Sequence, residues 1–198
     1  MAQLRAFVDD SHAFYYYTRA KAHAALMYAT RAMRVHARRR DWPHVAKCHL
    51  HSAAILSKLR RHAEAARCLG QVLHLVETGE LDDRGDAPHK LCLVAVTHHN
   101  IAVEQLLLHH VEEAVVSAQN ARRLARLCLS YSNRWLDKFE STHRCAAEAL
   151  SAMGGGLAEG LDKARGRGKG GRGEGGRLTL THGAAPKERR KTVMIAAG

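Results

Sequence analysis

Proline is nearly absent from this chain, which carries it only at positions 43, 88 and 186. Long stretches therefore lack a helix breaker, because the proline ring removes a backbone donor and clashes with the preceding turn. Glycine is also scarce at first, since thirteen of the sixteen glycines follow Met153. This division predicts a folded helical body over residues 1–153 and a disordered, Gly/Arg-rich tail over residues 154–198.

Long apolar runs are missing as well. No stretch of about 18 uncharged apolar residues occurs, so we expect no membrane span. The N-terminal residues MAQLRAFVDDSHAF place acidic groups where a secretory signal needs an apolar run.

The five cysteines are widely spaced without a CxxC pair, which favours reduced thiols. We expect a cytoplasmic protein, with a nuclear location as the alternative because of the basic cluster PKERRK.

Catalytic and metal-binding signatures are also missing. The chain has no GxSxG, HExxH or P-loop motif, and its Gly-rich run has no GK[ST] ending. Among fifteen histidines, only His44 offers a workable half-site, with Cys48 one turn later on the same helical face. No second pair stands nearby in sequence, although zinc needs three or four ligands. We therefore expect no enzymatic activity, no cofactor and no metal.

Residues that favour helices dominate what is present, chiefly Ala, Leu, Arg, Lys, Glu and Gln. The first helical segment covers about 2–39, either as one helix or as two joined near Ala20–Ala22. The remaining helices are predicted over about 43–59, 62–77, 89–108, 111–128 and 133–152, the last ending at Gly154-Gly155-Gly156.

Two parts of the body resemble each other. When LSKLRRHAEAARCLGQVLHL is aligned with LLLHHVEEAVVSAQNARRLA, Ala53 and Ala65 fall on Ala102 and Ala114. Ala25 takes the place of Ala65 in a third, earlier segment that matches partly. Two helices can cross closely only where the side chains between them are small. We therefore predict that these alanines are buried where paired helices cross.

The segment THHNIAVEQLLLHHVEEAVVSAQNARRLA resembles a tetratricopeptide repeat (TPR), and residues 46–76 resemble a weaker one. Ala102, Ala114 and Ala121 occupy the family's three small positions. The glycine that usually stands in the turn is replaced by Arg60 and His109. The spacings from Ala25 to Ala65 and from Ala65 to Ala114 both exceed the usual repeat length of about 34 residues. We attribute the excess to longer loops between repeats.

This resemblance implies an all-α fold of antiparallel helix hairpins, stacked as a short right-handed α-solenoid. A degenerate repeat would cover about 6–39, two repeats about 43–77 and 89–128, and a capping helix about 133–152.

The resemblance also implies a function, because such repeats commonly bind a peptide on the concave face formed by their first helices. Carried over by position, that face comprises Lys47, Leu50, Ala54, Lys58, Val96, His99, Asn100, Val103 and Leu107. Leu50 and Ala54 replace the Lys and Asn of the family's carboxylate clamp, so an apolar or helical peptide is favoured. We therefore expect a protein or peptide partner and a scaffold rather than an enzyme. Self-association through the repeat ends is left open.

Basic residues support an alternative. The net charge of +12 divides equally between the body and the much shorter tail, so the tail carries more positive charge per residue. A helical face predicted to carry Arg31, Arg34 and Arg38, with Arg39 and Arg40 beside it, would bind an acidic partner, including nucleic acid. The tail lacks the aromatic residues that stack on bases, which makes nucleic acid the less favoured partner. A third interpretation is that the chain is an incomplete part of a longer scaffold.

Overall fold

The computed structural model describes residues 2–81 and 87–166, with side chains from residue 4 to 154 outside the same gap. The described residues form seven helices and no strand, so the all-α prediction is confirmed for them. The helices are α1 (Ala2–Thr18), α2 (Ala22–Arg38), α3 (Trp42–Lys58), α4 (His62–Glu77), α5 (Ala87–Leu107), α6 (Val111–Cys128) and α7 (Trp135–Gly166). The chain divides into two units, Met1–Ser151 and Ala152–Gly198. All contacts described below lie within the first.

From α1 to α6, consecutive helices pack against each other. Between α1 and α2, the Tyr16 ring stacks on Tyr28 at 5.3 Å, whereas Asp9, earlier on α1, pairs with Arg31, later on α2. Partners that advance on one helix as they recede on the other show that the two helices run antiparallel. The alternative of two helices within residues 2–39 is thus the correct one.

The predicted small residues are buried at these contacts. Ala53 and Ala65 belong to one core cluster, and Ala102 and Ala114 belong to another. A third cluster contains Ala25 together with Ala13. All are at most 2% exposed, as close packing between paired helices requires.

Four of the connections between helices are three-residue turns of the same kind, in which the middle residue has a left-handed backbone. The φ angles are 58° at Ala20, 56° at Arg40, 63° at Arg60 and 63° at His109. The next N–H closes the turn onto the preceding helix, as when Asp41 N donates to His36 O at 3.0 Å. Glycine adopts this conformation without cost, and none of the four is glycine.

Two sequence expectations need correction. The wide spacing of the first two hairpins does not come from long loops, because only a short turn joins α2 to α3; each of these helices is itself 17 residues long. Helix α7 does not end at Gly154 but runs to Gly166. Glycine costs about 1 kcal/mol in a helix without ending it, and the following LAE and LDKAR runs favour helix. Residues 167–198 of the predicted tail lie outside the described residues.

Replacing Arg60 with glycine should raise the free energy of unfolding by about 1 kcal/mol, because the left-handed turn then carries no Cβ penalty. Urea unfolding followed by circular dichroism measures the change. Arg60→Ala is the matched control, since it removes the same guanidinium but keeps the Cβ atom. Equal stabilities of the two variants would contradict the turn geometry.

Candidate functional site

The predicted binding residues of α3 divide between surface and core. Lys47 and Lys58 are exposed, and Ala54 is half-buried. Leu50 is buried in the core cluster that contains Ala53, so it serves packing and is unavailable to a ligand. The α3 part of the predicted face is therefore two lysines flanking a small apolar patch.

The α5 residues divide in the same way. Leu107 is exposed, and Val96, Asn100 and Val103 are half-buried. His99 does not belong to the surface, because it is buried with its ring 4.9 Å from that of Phe139 on α7. Within the part of the chain that the structure describes, neither His99 ring nitrogen has a hydrogen-bond partner.

Helix α1 adds exposed aromatic residues that were not among the predicted binding residues. The bounds of α1 and α3 coincide when the two helices are aligned end to end, so Phe7 corresponds to Lys47 and Phe14 to Ala54. These two side chains are 63% and 53% exposed. The signal was present in the sequence, because Ala13 corresponds to Ala53 in the same alignment and fixes the register of α1 on α3.

Contacts between α1 and α3 show that the two helices lie side by side. The Lys58 Nζ atom lies 3.5 Å from the centroid of the Tyr17 ring and donates a hydrogen bond to the Tyr17 carbonyl at 3.3 Å. Nearer the start of both helices, the Cys48 thiol donates to Asp10 Oδ1 at 3.4 Å. Since Asp10 contacts Cys48 and the later Tyr17 contacts the later Lys58, α1 and α3 run parallel.

We call the resulting surface the α1–α3 face, formed by Phe7, Phe14, Tyr17, Lys47, Ala54 and Lys58. Burial against the neighbouring helix raises the pKa of Tyr17 and lowers that of Lys58. A cation over an aromatic ring is attracted by the ring's negative face. This contact restrains Lys58 while leaving its positive charge available to a ligand. The face thus combines exposed aromatic area with two cations, one of them ordered by a ring.

The predicted basic patch is less uniform than the sequence suggests. Arg31 is already engaged, with its Nε atom 3.6 Å from Asp9 Oδ2 and its guanidinium 5.5 Å from the centroid of the Tyr28 ring. Arg34 and Arg38 are exposed on α2, whereas Arg39 and Arg40 lie in the following turn. The run is therefore divided between a helix and a turn, and its first charge is partly neutralised within the fold.

Comparisons with family models, with curated proteins and with solved structures found no match to this chain. Among the described residues, no helix combines the length and apolar character needed to cross a membrane.

Stability should fall with acidification because of His99. Burial, with a smaller contribution from the Lys138 charge, lowers the pKa of His99 to about 4. An unfolded histidine has a pKa of about 6.5. Between that pH and about pH 4, His99 is therefore protonated in the unfolded chain and neutral in the folded chain. The free energy of unfolding is therefore unaffected by the titration of His99 above about pH 6.5 and falls as the pH drops toward 4. The expected loss between pH 7 and pH 5 is about 2 kcal/mol.

Urea unfolding at pH 7 and pH 5 measures this loss. In His99→Leu, the free energy of unfolding should fall by about 2 kcal/mol less between pH 7 and pH 5 than it does in the native chain. Burial also lowers the pKa values of His49, His51 and His98, so the variant is compared with the native chain and not with zero slope. An identical slope in both proteins would show that His99 is solvated.

Proposed function

We propose that this protein is a non-enzymatic, TPR-like interaction scaffold that binds a peptide or helical segment of a partner protein. In this proposal its hairpins stack as a short right-handed solenoid, and the α1–α3 face forms part of the concave surface. Val103 and Leu107 hold equivalent places on α5 and extend that surface into the third hairpin.

The observation that carries the proposal is the exposure of aromatic side chains at positions in register with the predicted ligand positions. Phe7 and Phe14 lie more than half exposed on a helix that also buries Ala6 and Ala13 on its inner side. Exposed aromatic residues that share one face are characteristic of binding surfaces, where they contribute a large share of the affinity.

Charge on the same face indicates the chemistry of the partner. Lys47 and Lys58 flank the aromatic area, and the nearby Asp10 on α1 is engaged with the Cys48 thiol and with His36. A segment with apolar residues spaced along one side and a carboxylate near either end matches this surface. The carboxylate would lie near Lys58, which the Tyr17 ring already holds in place.

Nucleic-acid binding through the arginines is the weaker candidate. Arg31 is engaged with Asp9, and the Gly/Arg-rich tail has no aromatic residue to stack on bases. Salt dependence separates the two functions, because phosphate contacts weaken steeply with salt whereas aromatic burial does not.

Replacing Phe7 and Phe14 together with serine in the full chain should lower partner capture at least tenfold, because two aromatic anchors are lost. Replacing Lys58 and Asn100 together should weaken capture less. Quantitative mass spectrometry of co-purified proteins at two salt concentrations measures the effect. Leu127→Ser is the matched control, since Leu127 is 75% exposed on α6 and lies outside the face.

A second variant set addresses the alternative. Neutralising Arg38, Arg39 and Arg40, or deleting residues 154–198, should leave capture unchanged. Loss of the partner only in these charge variants, with recovery in low salt, would reject the aromatic face in favour of electrostatic association.

A further inference from the structure

A polar cluster lies where α1, α2 and α3 meet, on a different set of side chains from the α1–α3 face. His36 is in the last turn of α2, Asp41 immediately precedes α3, and His44 follows in its first turn. The three-residue turn at Arg40 brings these residues together from opposite sides of the helix junction. Asp10 of α1 completes the cluster from behind His36.

The geometry of the cluster is compact. His36 Nδ1 lies 2.9 Å from Asp41 Oδ2, and His44 Nδ1 lies 2.8 Å from Asp41 Oδ1. The two imidazole rings stack with their centroids 4.7 Å apart and 10° between their planes. One ligand atom from each of the three residues can be chosen so that all lie within 4.8 Å of one another. Bonds of zinc to nitrogen and oxygen are about 2.0–2.2 Å long, so a small approach of these atoms would bring all three onto one ion.

His36 carries an unmet hydrogen-bonding requirement. Its side chain is buried, at 3% exposure, and its Nε2 atom has no hydrogen-bond partner among the described residues. That nitrogen instead lies 3.4 Å from Asp10 Oδ2. When a neutral imidazole donates from Nδ1 to Asp41, its Nε2 lone pair faces this carboxylate, which is an unfavourable pairing of two acceptors.

Metal ligation removes the conflict. An ion bound at Nδ1 of His36 places the ring proton on Nε2, where it can be donated to Asp10. Histidine ligands in metal sites usually donate their second nitrogen to a carboxylate in this way. Asp10 is itself oriented by the Cys48 thiol, which donates to its other oxygen at 3.4 Å.

We propose that His36, Asp41 and His44 bind a divalent transition-metal ion of the zinc class, with Asp10 accepting the Nε2 proton of His36. Two imidazoles and a carboxylate are ligands that zinc takes, and water completes the four-coordinate shell. The ion ties the ends of α2 and α3 together and, through Asp10, fixes α1 against them.

This site departs from the expectation of no metal. Along the sequence, His44 pairs only with Cys48, and no second pair lies nearby. In the structure, Cys48 contacts Asp10 instead of completing a site with His44. The residues grouped with His44 are Asp41 and His36, which lie on the other side of the turn. Spacing along a single helix could not reveal a site built from two helices and their connection.

The test titrates Zn²⁺ into the chelator-treated full chain in competition with a chromophoric chelator. One equivalent should bind. At about a hundred times the dissociation constant, zinc should raise the thermal unfolding midpoint by on the order of 5–10 °C. Co²⁺ should give the visible absorption of a four-coordinate site with nitrogen and oxygen ligands.

Variants separate this site from the other histidines. Asp41→Asn keeps the side-chain shape and should lower zinc affinity more than tenfold, as should His44→Ala at a partly exposed position. Asp10→Asn should lower the affinity about tenfold by removing the acceptor of the Nε2 proton. His74→Ala, at an exposed position on α4, is the matched control and should change nothing.

Two results would overturn the proposal. One is the absence of a zinc-dependent rise in the unfolding midpoint. The other is zinc binding of equal strength in Asp41→Asn, His44→Ala and the native chain, which would assign the ion to scattered surface histidines.

Discussion

Three equally spaced pairs of alanines determine how closely the two helices of each hairpin approach. They are Ala13 with Ala25, Ala53 with Ala65, and Ala102 with Ala114, and each pair shares a core cluster. A methyl group at each crossing lets larger neighbours such as Leu69 and Val72 fill the grooves on either side. Without this close approach, the links between hairpins would not form.

Those links are polar and specific. His62 at the start of α4 contacts Glu104 of α5 at 2.7 Å, with both side chains largely buried. Lys58 holds the end of α1 through the Tyr17 ring and carbonyl. Buried polar groups are costly unless they are paired, so such contacts favour one arrangement of neighbouring hairpins over others. The α1–α3 face depends on that arrangement, because its aromatic residues and its lysines come from different hairpins.

The sequence predicted the helices and their alanines well, because both depend on local propensity and spacing. It predicted the surface less well. Leu50 and His99 were placed on a binding face by position, yet the packing of neighbouring helices buries both. The turn at Arg60 was expected from the repeat pattern, whereas the wide spacing of the first two hairpins was wrongly attributed to long loops, because no glycine marks the short left-handed turn at Arg40. The juxtaposition of His36 with Asp41 and His44 depends on such a turn and is invisible to helical periodicity.

The central claim is that small residues at the crossings hold paired helices together, and Ala114→Leu tests it most directly. Ala114 is fully buried beside Ala102 and Ala118, so the added side chain should overpack the crossing and cost about 1–3 kcal/mol in the free energy of unfolding. Ala63→Leu makes the same change at an exposed position on α4 and should cost little. Urea unfolding of both variants decides: a loss confined to Ala114→Leu is predicted, and equal stabilities would contradict the helix pairing.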